Sequence, residues 1–380
     1  MTAGQRCSWL CPSWIACTLP WMLEQYIRLQ IEKKNFPGIS ILAGGGGKIL
    51  YDRHFGLKAV WPKPQLLATD TLYDLASLTK PLVSAFLAVY LIEKKQLRLD
   101  DEMRRFFPAF SLTVTLEQLL THSAGFKPWH PFYLYRPLDD LTQIAALHGV
   151  ARPGAQVSYS DIGYILLRRL LEEVSGSGFR ELAQAVIIDR LKLRDTFLLV
   201  PAEKKPRCAP TEIGNCFERD MCTVEHEAAA ACFPWRHELI SGEVHDANSF
   251  YSGGSAGNAG LFSCSRDLFK MSLEFFPETA TLLKRESIAL FWQNRTPWDR
   301  QQRSIGFLMN RSPQSSGGRT LAAGAIGHNG FTGTSLWLEP GKQRQWILLT
   351  NRVHPRVKKM NFNALRRKLH RLLKDELNLT

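Results

Sequence analysis

No two of the eight cysteines stand in a Cys-x-x-Cys spacing, and no stretch of the 380 residues repeats another. The first absence argues against a zinc ribbon or finger, and the length of the chain against a disulfide-stapled miniprotein. Cys208, Cys216, Cys222 and Cys232 lie near His226 and His237, but their gaps match no finger or ribbon, so neither metal nor cofactor is expected. Reduced thiols fit a reducing compartment, and a cytoplasmic protein is the expectation. A phosphate loop is missing too: around Gly44-Gly45-Gly46-Gly47-Lys48 it would need glycine at Leu42 and Ser or Thr at Ile49. Only residues 7–23 are uncharged and apolar over a length that suggests a signal or anchor, with Trp9, Leu10, Trp14, Ile15, Leu19 and Trp21. Pro12 and Pro20 interrupt that run and only Arg6 precedes it, beside Cys7, Cys11 and Cys17. Residues 1–21 therefore read as an N-terminal extension, with Met22 as an alternative start. A periplasmic or membrane-tethered protein follows only if 7–23 acts as a leader.

What is present is a globular chain. Hydrophobic residues make up 45%, charged residues 22%, and there are 10 Trp and 21 Phe, too apolar for disorder. The net charge of +13 is uneven, because the last 40 residues hold 11 Lys and Arg against Asp375 and Glu376. Phe362, Leu365, Leu369, Leu372 and Leu373 recur there at helical spacing, which predicts a C-terminal helix with a solvated basic face and no nucleic-acid partner.

A helix over Leu23 to Lys34 precedes two strands, Gly38 to Leu42 and Ile49 to Tyr51, joined by the glycine turn. Residues 79–200 are mostly helical, at Leu82 to Ile92, Leu116 to Leu120, Ile162 to Val174 and Phe179 to Leu191. Strands return at Gly333 to Leu338 and Gln345 to Thr350 around Glu339-Pro340-Gly341-Lys342. The pattern predicts one α+β domain over 22–380: a sheet subdomain of 22–78 plus 201–380, with a helical subdomain inserted at about 79–200.

Ser77-Leu78-Thr79-Lys80 is the only Ser-x-x-Lys in the chain, and the helix it opens is apolar on every face. Serine at a buried helix start with lysine one turn on pairs a nucleophile with a base. Desolvation would favour the neutral amine of Lys80. Taken alone, Ser77 as an N-cap and Lys80 as a snorkelling side chain fit equally well. Two more polar clusters stand at element boundaries: Tyr159-Ser160-Asp161 before a helix, and Gly327-His328-Asn329-Gly330-Phe331-Thr332-Gly333 opening a strand.

In this order the three clusters resemble the serine β-lactamase and penicillin-binding-protein superfamily, nearest its class C and its esterase or D-aminopeptidase branches, over roughly residues 22–355. Leu119-Leu120-Thr121-His122-Ser123-Ala124-Gly125 and Gly242-Glu243-Val244-His245-Asp246 are secondary look-alikes. The resemblance implies a β-lactamase/transpeptidase-like fold, an antiparallel sheet flanked by helices. It implies Ser77 as acylated nucleophile, Lys80 as its base and Tyr159 as proton shuttle. His328 and Gly330 would line the substrate side, and the amides of Ser77 and Phe331 would form the oxyanion hole. Asp161 stands where the β-lactamases carry Asn, as a substrate-side residue or a plain helix cap, and His328 where they carry Lys. Both departures favour an esterase or peptidase-like enzyme, acting on a small ester, amide or D-amino-acid peptide, over a true β-lactamase or D-Ala-D-Ala carboxypeptidase. A non-catalytic penicillin sensor is a further reading. So is an α/β-hydrolase using Ser255 in Gly253-Gly254-Ser255-Ala256-Gly257, although the residues before it are too polar for the strand such an elbow needs.

Overall fold

The computed structural model describes residues 19–108, 110, 113–135 and 141–379. The leader-like run and its three cysteines lie mostly outside the described residues. Glycines 46 and 47 take positive φ, as a tight turn demands, and fold β1 (Gly38–Gly45) against β2 (Lys48–Ala59) as the antiparallel hairpin expected. β1 is buried almost throughout, and its alternation shows why: Ile39, Ile41 and Ala43 enter one core while Leu42 enters another. Two short strands, β3 (Gln65–Leu66) and β4 (Tyr73–Asp74), follow. Next come β5 (Thr196–Phe197), β6 (Phe262–Ser263) and β7 (Leu308–Met309), then β8 (Ile326–Asn329), β9 (Ser335–Glu339) and β10 (Arg344–Leu349). A seven-stranded antiparallel sheet runs β3-β2-β1-β10-β9-β8-β7, so the first and last long strands lie side by side. Its period-2 pattern sorts side chains cleanly. Trp337, Trp346 and Leu348 face one core, and Leu336, Leu338, Ile347 and Leu349 the other.

The first core is closed by the terminal helices Leu19–Glu32 and Phe362–Glu376. The second holds the inserted helices, including Asp161–Ser175 and the helix after Ser77. In the C-terminal helix the five predicted apolar residues are buried, but so are Arg366 and His370, which correct the expectation of a basic face that is simply solvated. The observed Leu19–Glu32 helix starts before Met22, and the one expected over 179–191 is helical at Phe179–Ala183 and widens into a π turn at Gln184–Ile188.

The run Ala76–Glu93 begins as a tight turn, passes through a π-helical stretch at Lys80–Ala85 and continues as an α-helix. Among the described residues it alone is long and apolar enough to cross a membrane, yet 78% of it is buried inside the fold, which makes it the central core helix. A second small sheet, β4-β6-β5, feeds Asp74 directly into the turn at Ser77. Gly306 lets the β7 approach close on this helix: at φ +76 its amide donates to Leu120 O, and a Cβ there would sit 2.7 Å from the Ala85 Cβ. Gly306→Ala is therefore expected to cost about 1–3 kcal/mol through overpacking and strained backbone, measured by chemical denaturation.

Candidate active site

Asp74 shapes the turn that presents Ser77. Its Oδ1 accepts from the Ala76 amide at 2.8 Å and its Oδ2 from the His245 amide at 2.8 Å, while Ala76 adopts φ +48, a strained value for a residue with a side chain. Ser77 is left half-exposed above a wholly buried Lys80. Lys80 Nζ donates to Ser77 Oγ at 3.0 Å and to Asn258 O at 2.9 Å, and it pairs with Asp161 Oδ1 at 2.6 Å. The Tyr159 hydroxyl lies within hydrogen-bonding reach of both Ser77 and Lys80, whose ammonium sits 5.0 Å from the Tyr159 ring centroid.

This geometry corrects two expectations. Burial alone would push the Lys80 ammonium down, but the Asp161 carboxylate and Tyr159 outweigh it and hold its pKa above the ordinary lysine value. Lys80 is thus an ammonium at rest, not a neutral amine. Asp161 is not the helix cap either: the Ser160 hydroxyl accepts from the Gly163 amide, which frees the Asp161 carboxylate to face Lys80. Burial raises the Asp161 pKa and Lys80 opposes the rise; burial likewise raises Tyr159.

His122 holds the tyrosine loop. In a left-handed backbone conformation (φ +57), it stacks on Tyr159 at 4.4 Å, accepts the Ser160 amide on Nδ1 at 3.0 Å and receives the Ser158 amide on its carbonyl. On the other side, His328 stands with its ring centroid 5.9 Å from that of Tyr159 and its Nδ1 donating to Asn329 O. Burial, followed by Arg303 and Lys80 for His122 and by Lys80 and Arg303 for His328, pushes both imidazoles well below their ordinary pKa. Both are neutral at physiological pH.

Two lobes meet at Ser77, Tyr159 and Phe331. An apolar cavity of about 280 Å³ is walled by Trp129, Phe217, Met221 and Phe331, with His245, Asp246 and Glu218 at its end. Burial and Asp246 push Glu218 up to about 7. Burial alone would lower His245, yet Glu212 at 3.0 Å raises it, and its ring lies 5.6 Å under Phe331. The second lobe, about 400 Å³, is polar and lined by Asn329, Gly330, Arg352, Asn361, Asn363 and Arg366. Gly330 packs so tightly on the turn at Ser77 that a Cβ would lie 2.5 Å from Leu75 O.

All seven site residues read from sequence, Ser77, Lys80, Tyr159, Asp161, His328, Gly330 and Phe331, therefore converge. Ser255 does not join them; its hydroxyl donates to Ala259 O. Its glycine-rich loop contributes backbone instead, since Asn258 O accepts from Lys80 and Gly257 O from Ser84. Sequence reasoning missed Arg366, whose Nη2 donates to Gly330 O at 2.9 Å and Thr334 O at 2.7 Å and so ties down the Phe331 loop. It also missed Arg303 and gave His122 no role beyond a look-alike motif. Among the described residues no group of three or more His, Cys, Asp or Glu is placed to hold a metal ion.

The chain is 27% identical over 372 residues to a "Putative D-alanyl-D-alanine carboxypeptidase" of Escherichia coli K12, covering 88% of this chain and 82% of that one. Its fold is shared with EstCE1, a hydrolase with promiscuous acyltransferase activity (TM-score 0.70, 19% identity, 93% and 98% of the two chains). It is shared equally with a class C β-lactamase from Rhodobacter sphaeroides (TM-score 0.67, 18% identity, 93% and 98%). These relatives correct the cytoplasmic expectation, since class C β-lactamases and D-alanyl-D-alanine carboxypeptidases are periplasmic or membrane-associated. The free thiols misled because Cys208, Cys222 and Cys264 are buried packing residues and say nothing of compartment. The beta-lactamase family profile matches residues 23–369, nearly the whole chain, and the chain belongs to that family of serine hydrolases.

Proposed function

We propose that this chain is a hydrolase that forms an acyl-enzyme on Ser77 and cleaves small esters or amides with a neutral, apolar acyl group. The observation that carries the reading is the contact chain Ser77 Oγ, Lys80 Nζ, Asp161 Oδ1, at 3.0 and 2.6 Å, opening at the junction of an apolar and a polar lobe. Ser77 Oγ attacks the carbonyl carbon. Lys80 passes a proton to Asp161, whose raised pKa suits it to accept, and takes up the serine proton in its place. Tyr159, in reach of both Ser77 and Lys80, delivers a proton to the leaving group as the tetrahedral intermediate collapses. Water then attacks the acyl carbon by the reverse sequence. The amides of Ser77 and Phe331 serve as oxyanion donors, with Arg366 and Gly330 fixing the Phe331 loop.

The acyl group fits the lobe of Trp129, Phe217 and Met221, and the leaving group faces the polar one. His328, neutral beside Tyr159, offers no fixed cation to a substrate carboxylate. Arg352 favours a second reading, hydrolysis of a peptide ending in D-alanine. Its guanidinium lies 5.1 Å from the Phe331 ring and lines the polar lobe, where it would meet a leaving-group carboxylate.

A fluorophosphonate is expected to label Ser77, read by peptide mass spectrometry, and Ser77→Ala to abolish both label and turnover; an adduct on Ser255 would refute the assignment. Lys80→Ala, Tyr159→Phe and Asp161→Asn should lower kcat by about 10²–10⁴ with KM little changed, as for groups that move protons in the transition state. Against a panel of p-nitrophenyl esters, a chromogenic cephalosporin and a D-Ala-D-Ala peptide, kcat/KM should be highest for the esters. His328→Lys should narrow the gap to the cephalosporin. Arg352→Ala should slow only substrates that carry a leaving-group carboxylate; if the peptide is cleaved best and Arg352→Ala removes that advantage, the second reading replaces the first.

A further inference from the structure

Arg303 is buried to 5% exposure on the segment leading into β7, and its backbone is held by the Thr296 hydroxyl, which accepts its amide, and the Arg295 amide, which donates to its carbonyl. Its guanidinium lies 5.5 Å from the centroid of the Tyr159 ring. Neither Nε nor Nη1 has a hydrogen-bond partner, and Arg303 forms no ion pair among the described residues. The nearest acid, Asp299, spends its oxygens on the Val157 and Gln301 amides. A buried cation with two unpaired nitrogens costs folding energy, which the Tyr159 ring face offsets only in part. Such a cost persists where charge is used.

We propose that Arg303 is a positioning residue that acts through Tyr159, stabilising the negative charge that the phenol acquires when its proton moves to the leaving group. The proposal rests on the role given to Tyr159 above. A cation over a ring is attracted by the ring face, and more strongly as the oxygen gives up its proton. Arg303 lines neither lobe. Among the other groups facing Tyr159, Lys80 also favours the charged phenol but is paired with Asp161, whose carboxylate disfavours it; His122 and His328 are neutral, in part because Arg303 repels their protonation; Tyr164 is a neutral phenol, so Arg303 is a second cation on the ring and the one without a counter-charge. Removing Arg303 raises the proton affinity of Tyr159, so activity that depends on its ionisation shifts to higher pH.

The test compares Arg303→Met, Arg303→Lys, Tyr159→Phe and the Tyr159→Phe/Arg303→Met double variant, by p-nitrophenyl ester hydrolysis and by the rate of Ser77 labelling with a fluorophosphonate across pH. Arg303→Met should move the alkaline limb up by about one pH unit, the low end for a charge within 4–6 Å, and lower kcat near neutrality about tenfold with KM unchanged. Arg303→Lys should keep the limb in place. In the Tyr159→Phe background, Arg303→Met should cost nothing further, and Arg303→Met alone should raise or hold the melting temperature. A merely structural arginine would instead lose stability and slow turnover equally at all pH values, which would overturn the proposal. So would failure of both Arg303→Met and Arg303→Gln to fold, since the position would then serve as a packing anchor. If Tyr159→Phe itself leaves the rate unchanged, the reading of the site has failed; if Tyr159→Phe is slow while Arg303→Met is not, only this inference has.

Discussion

The buried pair of Lys80 with Asp161 is the constraint around which the other contacts of this site are arranged. An ammonium at zero exposure survives only with a counter-charge, and the carboxylate arrives from a different helix, so the inserted helices must dock on the core helix before the site exists. That docking is made by ordinary packing: Ile162, Ile165 and Leu166 share one core with Leu82, Phe86 and Val89. Ser160 completes it by capping its helix, which leaves the neighbouring carboxylate free. A pair of this kind adds little to net stability, but losing one partner strands the other, typically at about 3–5 kcal/mol. Its value here is geometric, since it fixes Lys80 Nζ on Ser77 Oγ, and in the proposed mechanism it would also give the proton somewhere to go.

The sheet holds the other half of the site by a similar economy of means. β8 and β9 carry the loop with Phe331, and Arg366 reaches from the C-terminal helix to the carbonyls of Gly330 and Thr334. Thr332 and Thr334 donate from the same loop to Asp74 O and Leu75 O, directly behind the nucleophile. The two ends of the chain, adjacent through β1 and β10, therefore brace a loop that touches a turn formed more than 250 residues earlier.

What could be read from sequence follows from where periodicity is strong. The hairpin, the helix after Ser77, the β9–β10 turn and the apolar stripe of the last helix all declared themselves, because burial repeats at 2 or 3.6 residues over several turns. β5 and β6 did not, since two residues carry no period. The seven residues that converge around Ser77 come from three short clusters, each at an element boundary. Their electrostatics were not. That Lys80 is charged depends on Asp161 being 2.6 Å away, and that Asp161 is free depends on Ser160 taking the cap, neither of which spacing can express. Arg366 was hidden within a charge run that otherwise reads as solvated surface, and Arg303 had no motif around it at all.

The distribution of buried charge then explains how this chain can do without a lysine in its third cluster. Lys80, Arg303 and Arg366 are three buried cations around Tyr159 and the Phe331 loop, and Asp161 is the carboxylate paired with the first. Burial first, and then the field of these cations, disfavours a further positive charge, so both histidines beside Tyr159 are neutral. A lysine at position 328 would enter that field at a cost, whereas an imidazole releases its proton and keeps the hydrogen bond to Asn329 O. Positive charge thus reaches Tyr159 from Arg303, which lines neither lobe, and not from position 328. The phenol keeps its electrostatic support, and the substrate face keeps none to spend on an anionic group near His328. Arg352 and Arg366 line the polar lobe. In the mechanism proposed above, the chain would separate two tasks, activating the proton shuttle and choosing the substrate, that a single lysine between Tyr159 and the substrate would have to combine.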